Sequence, residues 1–388
     1  MEILYSLNAL FPYGTPIASR TLNICRILHS MGHRVHLFCD YLSEPSICDE
    51  SKDFAVLEGI NIHFSFVQRN FKSQLFKSLH ASRKIENFLK KNHVDLIIAT
   101  TNAERFLMTS KIAARYNIPL LLEICEKYHY SNWSFGRFNP RYYTFLRCWK
   151  KEYMKADGVI AISRFLEKHF TEYGKKTIRM PSVLDVSKIP CRLTSTSDNC
   201  VRFVFSGGLG NGKDSLAEFM IALNNVKGKL SRKIELNIYG PTKTAVLNQL
   251  GKKAYVAHEL DDIVCYHGRI PQNEIPLRLL ENDFGIILRP QRESSNAGFP
   301  TKLAEYMSAG LPVLANDTGD IGLYLNSTNG CLLENKSVKK IEQAVLAIDS
   351  MSKEKLSDMR KAARKTAEEN FDYHIYAPLL RDFLQNIR

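Results

Sequence analysis

A chain of 388 residues, 45% hydrophobic and 24% charged, has the make-up of an ordinary globular protein and enough length for two domains, each with its own core. That composition excludes a disordered or collagen-like chain, and no apolar run approaches the length of a membrane span. The formal net charge is +13, and residues 1–187 hold most of the excess, with 26 Lys and Arg against 17 Asp and Glu. An anionic partner for the N-terminal half is therefore expected: phospholipid, a phosphorylated acceptor or nucleic acid.

The first residues open directly into the strand-like Ile3-Leu4-Tyr5-Ser6-Leu7, without the charged and apolar regions of a secretion signal, so a cytoplasmic location is expected. Apolar runs of strand length, each followed by helical periodicity, predict β-α units on a parallel sheet. In the first half the strands fall at Ile3–Leu7, Val35–Cys39, Ile60–Phe64, Leu96–Thr100, Pro119–Ile124 and Gly158–Ile162. The helices between them fall near Ala18–Met31, Ser73–Lys91, Ala103–Tyr116, Arg141–Lys155 and Arg164–Tyr173. Val186–Cys200 is rich in Ser, Thr, Asp and Pro without periodicity, which marks a linker.

The pattern then restarts, with strands at Val201–Phe205, Glu235–Tyr239, Ile263–Tyr266, Phe284–Leu288, Val313–Ala315 and Gly330–Leu333. Helices are expected near Ser215–Asn225, Thr244–Lys253, Asn273–Glu281, Lys302–Ser308 and Val338–Ile348. The last stretch, Tyr373–Ile387, reads as a helix that crosses back onto the first half. The fold class is thus α/β, with an N-terminal domain at 1–187 completed by residues 371–388, and a C-terminal domain at 188–370. Two parallel sheets facing each other across a central cleft place the ligand outside the carboxyl ends of their strands.

Two segments carry chemistry. Phe205-Ser206-Gly207-Gly208-Leu209-Gly210-Asn211-Gly212-Lys213-Asp214 lies between a strand and a helix. Its glycines let backbone N–H groups approach a phosphate, and Lys213 adds a point charge. The run is one residue short of a P-loop, because Asp214 stands where Ser or Thr would hold magnesium, so a P-loop phosphotransferase using Gly207–Lys213 is the alternative reading.

The second segment, Gly298-Phe299-Pro300-Thr301-Lys302-Leu303-Ala304-Glu305-Tyr306-Met307-Ser308-Ala309-Gly310-Leu311-Pro312-Val313, reads as a loop, a short helix, a Gly-Leu-Pro stop and a buried strand. Glu305 falls one turn into that helix, where its carboxylate can accept hydrogen bonds from ribose hydroxyls. The N–H groups of Gly298, Phe299 and Thr301 can meet a pyrophosphate at the helix start.

The wording Phe-Pro-Thr-Lys-Leu-Ala-Glu-Tyr-Met-x-Ala-Gly-x-Pro-Val resembles the nucleotide-binding motif of glycosyltransferase family 4, the large retaining group with the GT-B fold of two Rossmann-like domains. Ser206–Asp214 is similar to the family's Gly-rich loop, and Gly32-His33-Arg34-Val35 to its second-strand entry. The resemblance implies a retaining, hexosyl-type glycosyltransferase. Such an enzyme moves a sugar from a UDP- or GDP-sugar to a saccharide acceptor, lipid-linked in cell-surface polysaccharide assembly. Residue by residue, it assigns Glu305 to the ribose and Lys213 to the donor pyrophosphate, and it puts Lys302 in the same donor-binding motif.

Two departures stand out. Ala297 occupies the position of the family's first motif carboxylate, and Gly208 and Leu209 lie where an Arg often stands, a charge that Arg289 is placed to supply. In the first half, Asn8–Pro16 resembles the loop under the donor phosphate, with only Gly14 left of its glycine pair. The loop after Ile124 is where the family carries an acid or His toward the donor sugar, which nominates Glu126 and His129 as catalytic candidates.

No Asp-x-Asp pair is present and nine cysteines are scattered without a C-x-x-C, so no metal or other cofactor is expected and the thiols are read as reduced. The segments Arg69–Lys91 and Phe135–Lys155 interleave aromatic and basic residues and suit an anionic membrane surface touched peripherally. Neither contains a nucleic-acid motif, so nucleic acid is not an expected partner.

Overall fold

Strands that are apolar along their whole length must be covered on both faces, and the chain supplies a helix between almost every pair, so its sheets are built from parallel ladders. The computed structural model describes residues 1–43, 54–66, 74–196, 198–209 and 214–387. The chain forms two units, Met1–Leu184 with Tyr373–Arg388, and Asp185–Asp372.

In unit 1 the strands are β1 (Glu2–Ser6), β2 (Leu10–Phe11), β3 (Arg34–Leu42), β4 (Ala55–Leu57), β5 (Ile60–Phe66), β6 (Leu96–Thr100), β7 (Leu120–Ile124), β8 (Gly158–Ala161) and β9 (Lys176–Arg179). They run in the order β4-β5-β3-β1-β6-β7-β8-β9 with β2 beside β3, and among the described residues only the β4/β5 pair is antiparallel. Ile3 faces Val35 on one side and Leu96 on the other, which sets the central register. The core holds Ile3, Tyr5, Val35, Leu37, Ile98 and Leu121 together with Tyr376, Leu380 and Leu384 of the C-terminal helix Tyr376–Gln385.

In unit 2 the strands are β10 (Cys200–Ser206), β11 (Lys233–Tyr239), β12 (Val264–Gly268), β13 (Phe284–Ile287), β14 (Val313–Asn316) and β15 (Gly330–Leu333). Their order, β12-β11-β10-β13-β14-β15, is the 3-2-1-4-5-6 winding of a dinucleotide-binding sheet, every pair parallel. The direction of winding reverses between β10 and β13, and in unit 1 between β1 and β6. Loops leaving the carboxyl ends of these strands are therefore where each unit offers a binding edge.

Two predicted elements need correcting, and one helix was not predicted. The helix expected over Arg141–Lys155 ends at Arg147, and the chain continues through a π turn at Cys148–Glu152 and a 3₁₀ turn at Tyr153–Lys155. The wider turn accompanies burial of Cys148, Trp149, Glu152 and Tyr153, with the Tyr153 hydroxyl donating to the Thr101 carbonyl. The stretch expected to be linker already enters β10 at Cys200. The 18-residue helix Lys353–Asn370 has no counterpart in the strand-and-helix reading of the sequence.

Candidate active site

Unit 2's binding edge is built from the end of β10, the end of β13 and the helix Thr301–Ser308. Gly207, at φ +121°, turns the chain out of β10 while its N–H donates to the Tyr239 carbonyl at 3.0 Å. The turn is tied to the helix by Tyr306, whose hydroxyl accepts from Ser206 N at 2.8 Å and lies 3.2 Å from Ser206 Oγ. Tyr306 is fully buried, and burial pushes its phenol well above the usual range, so it stays neutral. Its ring fits because residue 285 is glycine: a Cβ there would overlap it.

Three charged side chains meet beside that turn. Lys302 Nζ lies 2.9 Å from Asp214 Oδ2 and 4.0 Å above the centre of the Phe205 ring. Arg289 Nε lies 4.0 Å from Asp214 Oδ1, and its Nη1 donates to the Ser295 carbonyl at 3.3 Å. Asn316 holds the Arg289 backbone from both sides, accepting from its N–H at 2.7 Å and donating to its carbonyl at 3.0 Å. Lys302 is 8% exposed and Arg289 5%, so both cations sit where water screens them poorly. Two cations around the single Asp214 carboxylate make this corner of the winding reversal locally positive, which suits an anion, with the Glu305 carboxyl one turn further along the helix.

Glu305 lies one turn into the helix. Burial pushes its carboxyl up, the Lys302 charge pulls it down, and no described residue donates a hydrogen bond to it. The helix start at Thr301 follows Pro300 and has no side-chain cap, so its first N–H groups are not satisfied by a neighbouring side chain. Gly298 is extended at φ −90°, and the Phe299 ring turns away into an aromatic cluster with Tyr324 and Phe371, both ring centres 5.8 Å distant. Gly208 lies on the described part of the Gly-rich loop, and Lys213 lies outside the described residues.

Unit 1's edge is braced from below by buried ion pairs. Glu123, in β7, receives Arg20 Nε at 2.7 Å and the Tyr5 hydroxyl at 2.6 Å, and Arg20 also donates to the Pro181 carbonyl. Arg105 pairs with Asp40, and Asn8 Nδ2 donates to the same carboxylate at 2.8 Å, which fixes the loop after β1. That loop ends at Gly14, φ +99°, and Thr15, whose Oγ1 caps the helix Pro16–Ser30 at Ala18 N.

The two catalytic candidates differ in setting. Glu126 is half-buried and takes a hydrogen bond from the hydroxyl of the likewise half-buried Tyr128. His129 is exposed and serves its own turn: its Nδ1 lies 3.0 Å from Ser131 Oγ, and its N–H donates to Asn132 Oδ1 at 2.7 Å. Among the described residues no group of three or more His, Cys, Asp or Glu could hold a metal ion, and all eight described cysteines are free.

Sequence reasoning named Lys302, Arg289 and Glu305 without seeing what links the first two. Asp214, read only as a missing hydroxyl, is the carboxylate between them. Tyr306, Asn316, Glu123 and Arg20 were also missed, because each acts through a partner far away in the chain.

Two Rossmann-type units of this winding define the GT-B class of glycosyltransferases. A family model described as Glycosyltransferase Family 4 matches residues 17–187, and one described as Glycosyl transferases group 1 matches residues 200–349; the chain belongs to glycosyltransferase family 4. That membership replaces the P-loop reading of Gly207–Lys213, and the Asp214 carboxylate is committed to Lys302.

Solved structures agree on the fold. A sucrose-phosphate synthase from Thermosynechococcus elongatus aligns with TM-score 0.73 at 13% identity, over 100% of this chain and 99% of that one. Anabaena HepE in complex with UDP and glucose aligns with TM-score 0.70 at 16% identity, over 99% of each chain. A glycosyltransferase from Rickettsia africae aligns with TM-score 0.69 at 16% identity, over 100% and 98%. A search of curated protein sequences gave no match.

Proposed function

We propose that this chain moves a hexosyl group from a nucleoside-diphosphate sugar to a saccharide acceptor, with retention of anomeric configuration. The observation that carries the donor half is the Lys302–Asp214–Arg289 cluster, with Glu305 one turn along the same helix as Lys302. The cations and the uncapped helix start suit a diphosphate, and a carboxylate to which no described residue donates suits a vicinal diol such as a ribose. That the HepE structures hold UDP or UDP-glucose supports uridine as the base, with a GDP-sugar the other candidate.

On this reading Lys302 and Arg289 neutralise charge that builds on the leaving diphosphate, work that other enzymes give to a metal. Turnover is accordingly expected to survive chelation. Glu126, just after β7, is assigned to the reacting groups, accepting a hydrogen bond from the acceptor hydroxyl or countering positive charge that develops on the sugar ring. His129 has the weaker claim because its ring is engaged in its own turn. Gly14, at φ +99°, provides the turn of the loop after β1, which the family likeness assigns to the donor phosphate, and Lys213 adds a further cation. The acceptor is taken to be lipid-linked, at the cytoplasmic face of a membrane, from the basic excess of residues 1–187.

The test is a panel of UDP-, GDP- and ADP-sugars read by thermal shift. Lys302→Gln and Glu305→Gln should each weaken binding of the preferred donor about tenfold or more, since hydrogen bonds to charged groups contribute about 1.5–3 kcal/mol. Unchanged donor affinity in both variants, with the fold intact, would overturn the assignment.

A further inference from the structure

From Lys127 to Lys151 the chain contains no acidic residue and six basic ones: Lys127, Arg137, Arg141, Arg147, Lys150 and Lys151. Within that stretch the turn after Trp133 carries Phe135 at 86% exposure and Phe138 at 91%, the two most exposed large hydrophobic side chains among the described residues. Tyr143, on the following helix Pro140–Arg147, is 59% exposed. Isolated exposed apolar residues are ordinary; two nearly bare phenylalanines on one tight turn in a basic stretch are not, even with Arg141 paired to Glu104 and Arg147 to Glu152.

The turn is held firmly despite its bare rings. Phe135 adopts φ +63°, a left-handed conformation that few non-glycine residues take, and Gly136 follows at φ +53°. Gly136 N donates to the Trp133 carbonyl and Phe138 N to the Phe135 carbonyl, each at 3.0 Å, while Asn139 Nδ2 donates to the Ser134 carbonyl at 3.0 Å. The Arg137 guanidinium stacks 4.6 Å over Tyr130 and that of Arg141 5.1 Å over Trp133. Both cations thus flank a turn that leads back to β7 and Glu126, at the binding edge of unit 1.

We infer that this turn is a membrane-docking wedge: Phe135 and Phe138 enter the acyl boundary of an anionic bilayer while the surrounding basic side chains meet lipid phosphates. The inference rests on the reading above that the acceptor is carried by a lipid, and it specifies which surface brings the binding edge to it. Charge decides the occupant. A protein interface mixes signs around an apolar centre, whereas here the six basic residues outnumber the Glu104 and Glu152 carboxylates paired with Arg141 and Arg147; the net positive charge suits a polyanion, and paired bare phenyl rings favour one with a hydrocarbon interior. The other aromatic and basic segment, Arg69–Lys91, runs partly outside the described residues and adds nothing to the case.

Co-sedimentation of the full chain with vesicles tests it. Binding is expected to vesicles of equal parts phosphatidylcholine and phosphatidylglycerol, to weaken as salt is raised, and to be slight with phosphatidylcholine alone. Phe135→Ser with Phe138→Ser should lower vesicle affinity about tenfold or more, since two apolar side chains no longer leave water. Arg137→Gln with Lys150→Gln and Lys151→Gln should remove the preference for phosphatidylglycerol. Donor affinity in solution should stay unchanged in both variants, and circular dichroism should match the parent. Absence of vesicle binding, equal binding by the phenylalanine variant, or a lipid-free dimer or polynucleotide complex that the phenylalanine variant loses would each overturn the wedge. Because donor binding is read separately, a failed donor panel with intact vesicle binding touches only the proposed transfer reaction.

Discussion

His63 lies in β5 with its ring stacked on Phe38 at 4.4 Å between centres, and with Phe88 at 5.1 Å edge-on. Burial lowers its pKa to about 3, and the positive charges of His36 and Lys84 push in the same direction. His36, 3.2 Å away, is also lowered by burial, although its bond to Glu2 opposes this. In the unfolded chain His63 titrates near the ordinary histidine value of 6.5, so between that pH and about 3 the unfolded state holds a proton that the native state lacks.

The stability contributed by neutral His63 is therefore complete above its unfolded pKa and drains away as pH falls, by about 1.4 kcal/mol per pH unit at most. His63→Gln should flatten the acid limb of a stability profile measured by urea unfolding from pH 7 down to pH 4. An acid limb as steep as the parent's would rule this out. Nothing in the sequence around His63 announces this, since its neighbours alternate as in any half-buried strand. Lys302 and Glu305, by contrast, were legible because helix, stop and strand around them follow local rules. Asp214 was misread because its partner stands 88 positions away.

Elements with strong local patterns were legible and those stabilised by distant contacts were not. β6 and β15 fall where the apolar runs end, and the helix Ala103–Tyr116 runs from a capping Asn102 to a left-handed Asn117. The helix Lys353–Asn370 escaped notice because its buried stripe, Leu356, Met359, Arg360, Ala363 and Ala367, is mostly small or charged. Only the fold shows that Arg360 donates to the Asn282 carbonyl from both terminal nitrogens, at 3.1 and 2.7 Å. β2, β4 and β9 have two to four residues each, too few for a period to show.

The Tyr306 hydroxyl joins two such elements, the end of β10 and the helix bearing Lys302 and Glu305. Tyr306→Phe should destabilise the protein by about 1–3 kcal/mol, leaving the Ser206 N–H buried without its acceptor. It should also weaken donor binding although the residue carries no charge. Thermal melts with and without the donor would separate the two effects, and a variant that melts and binds like the parent would refute the link.

At the scale of the whole molecule, the chain leaves unit 1 after Leu184 and returns to it at Tyr373. The returning helix buries Tyr376, Leu380 and Leu384 in the first core, and Tyr373 N donates to the Leu184 carbonyl at 2.9 Å. A crossing C-terminal helix was foreseeable from its length and position, while the close fit of Phe383 and Ile387 over Gly158 was not. Deleting residues 373–388 should strip unit 1 of three buried side chains at about 1.5–3 kcal/mol each while sparing the core of unit 2. Calorimetry should show one transition displaced to lower temperature and another nearly unchanged. Displacement of neither transition, or of both equally, would contradict this.

That excursion has a consequence for synthesis. Asp185–Asp372 is one uninterrupted stretch, whereas unit 1 combines residues that precede it with residues that follow it. As the ribosome works from the N-terminus, the later half holds all of its own residues while the earlier half still lacks its closing helix. The birth order of the two halves is thus the reverse of their order of completion, and stalling translation just short of Tyr373 should leave the earlier half the more readily cleaved by a protease.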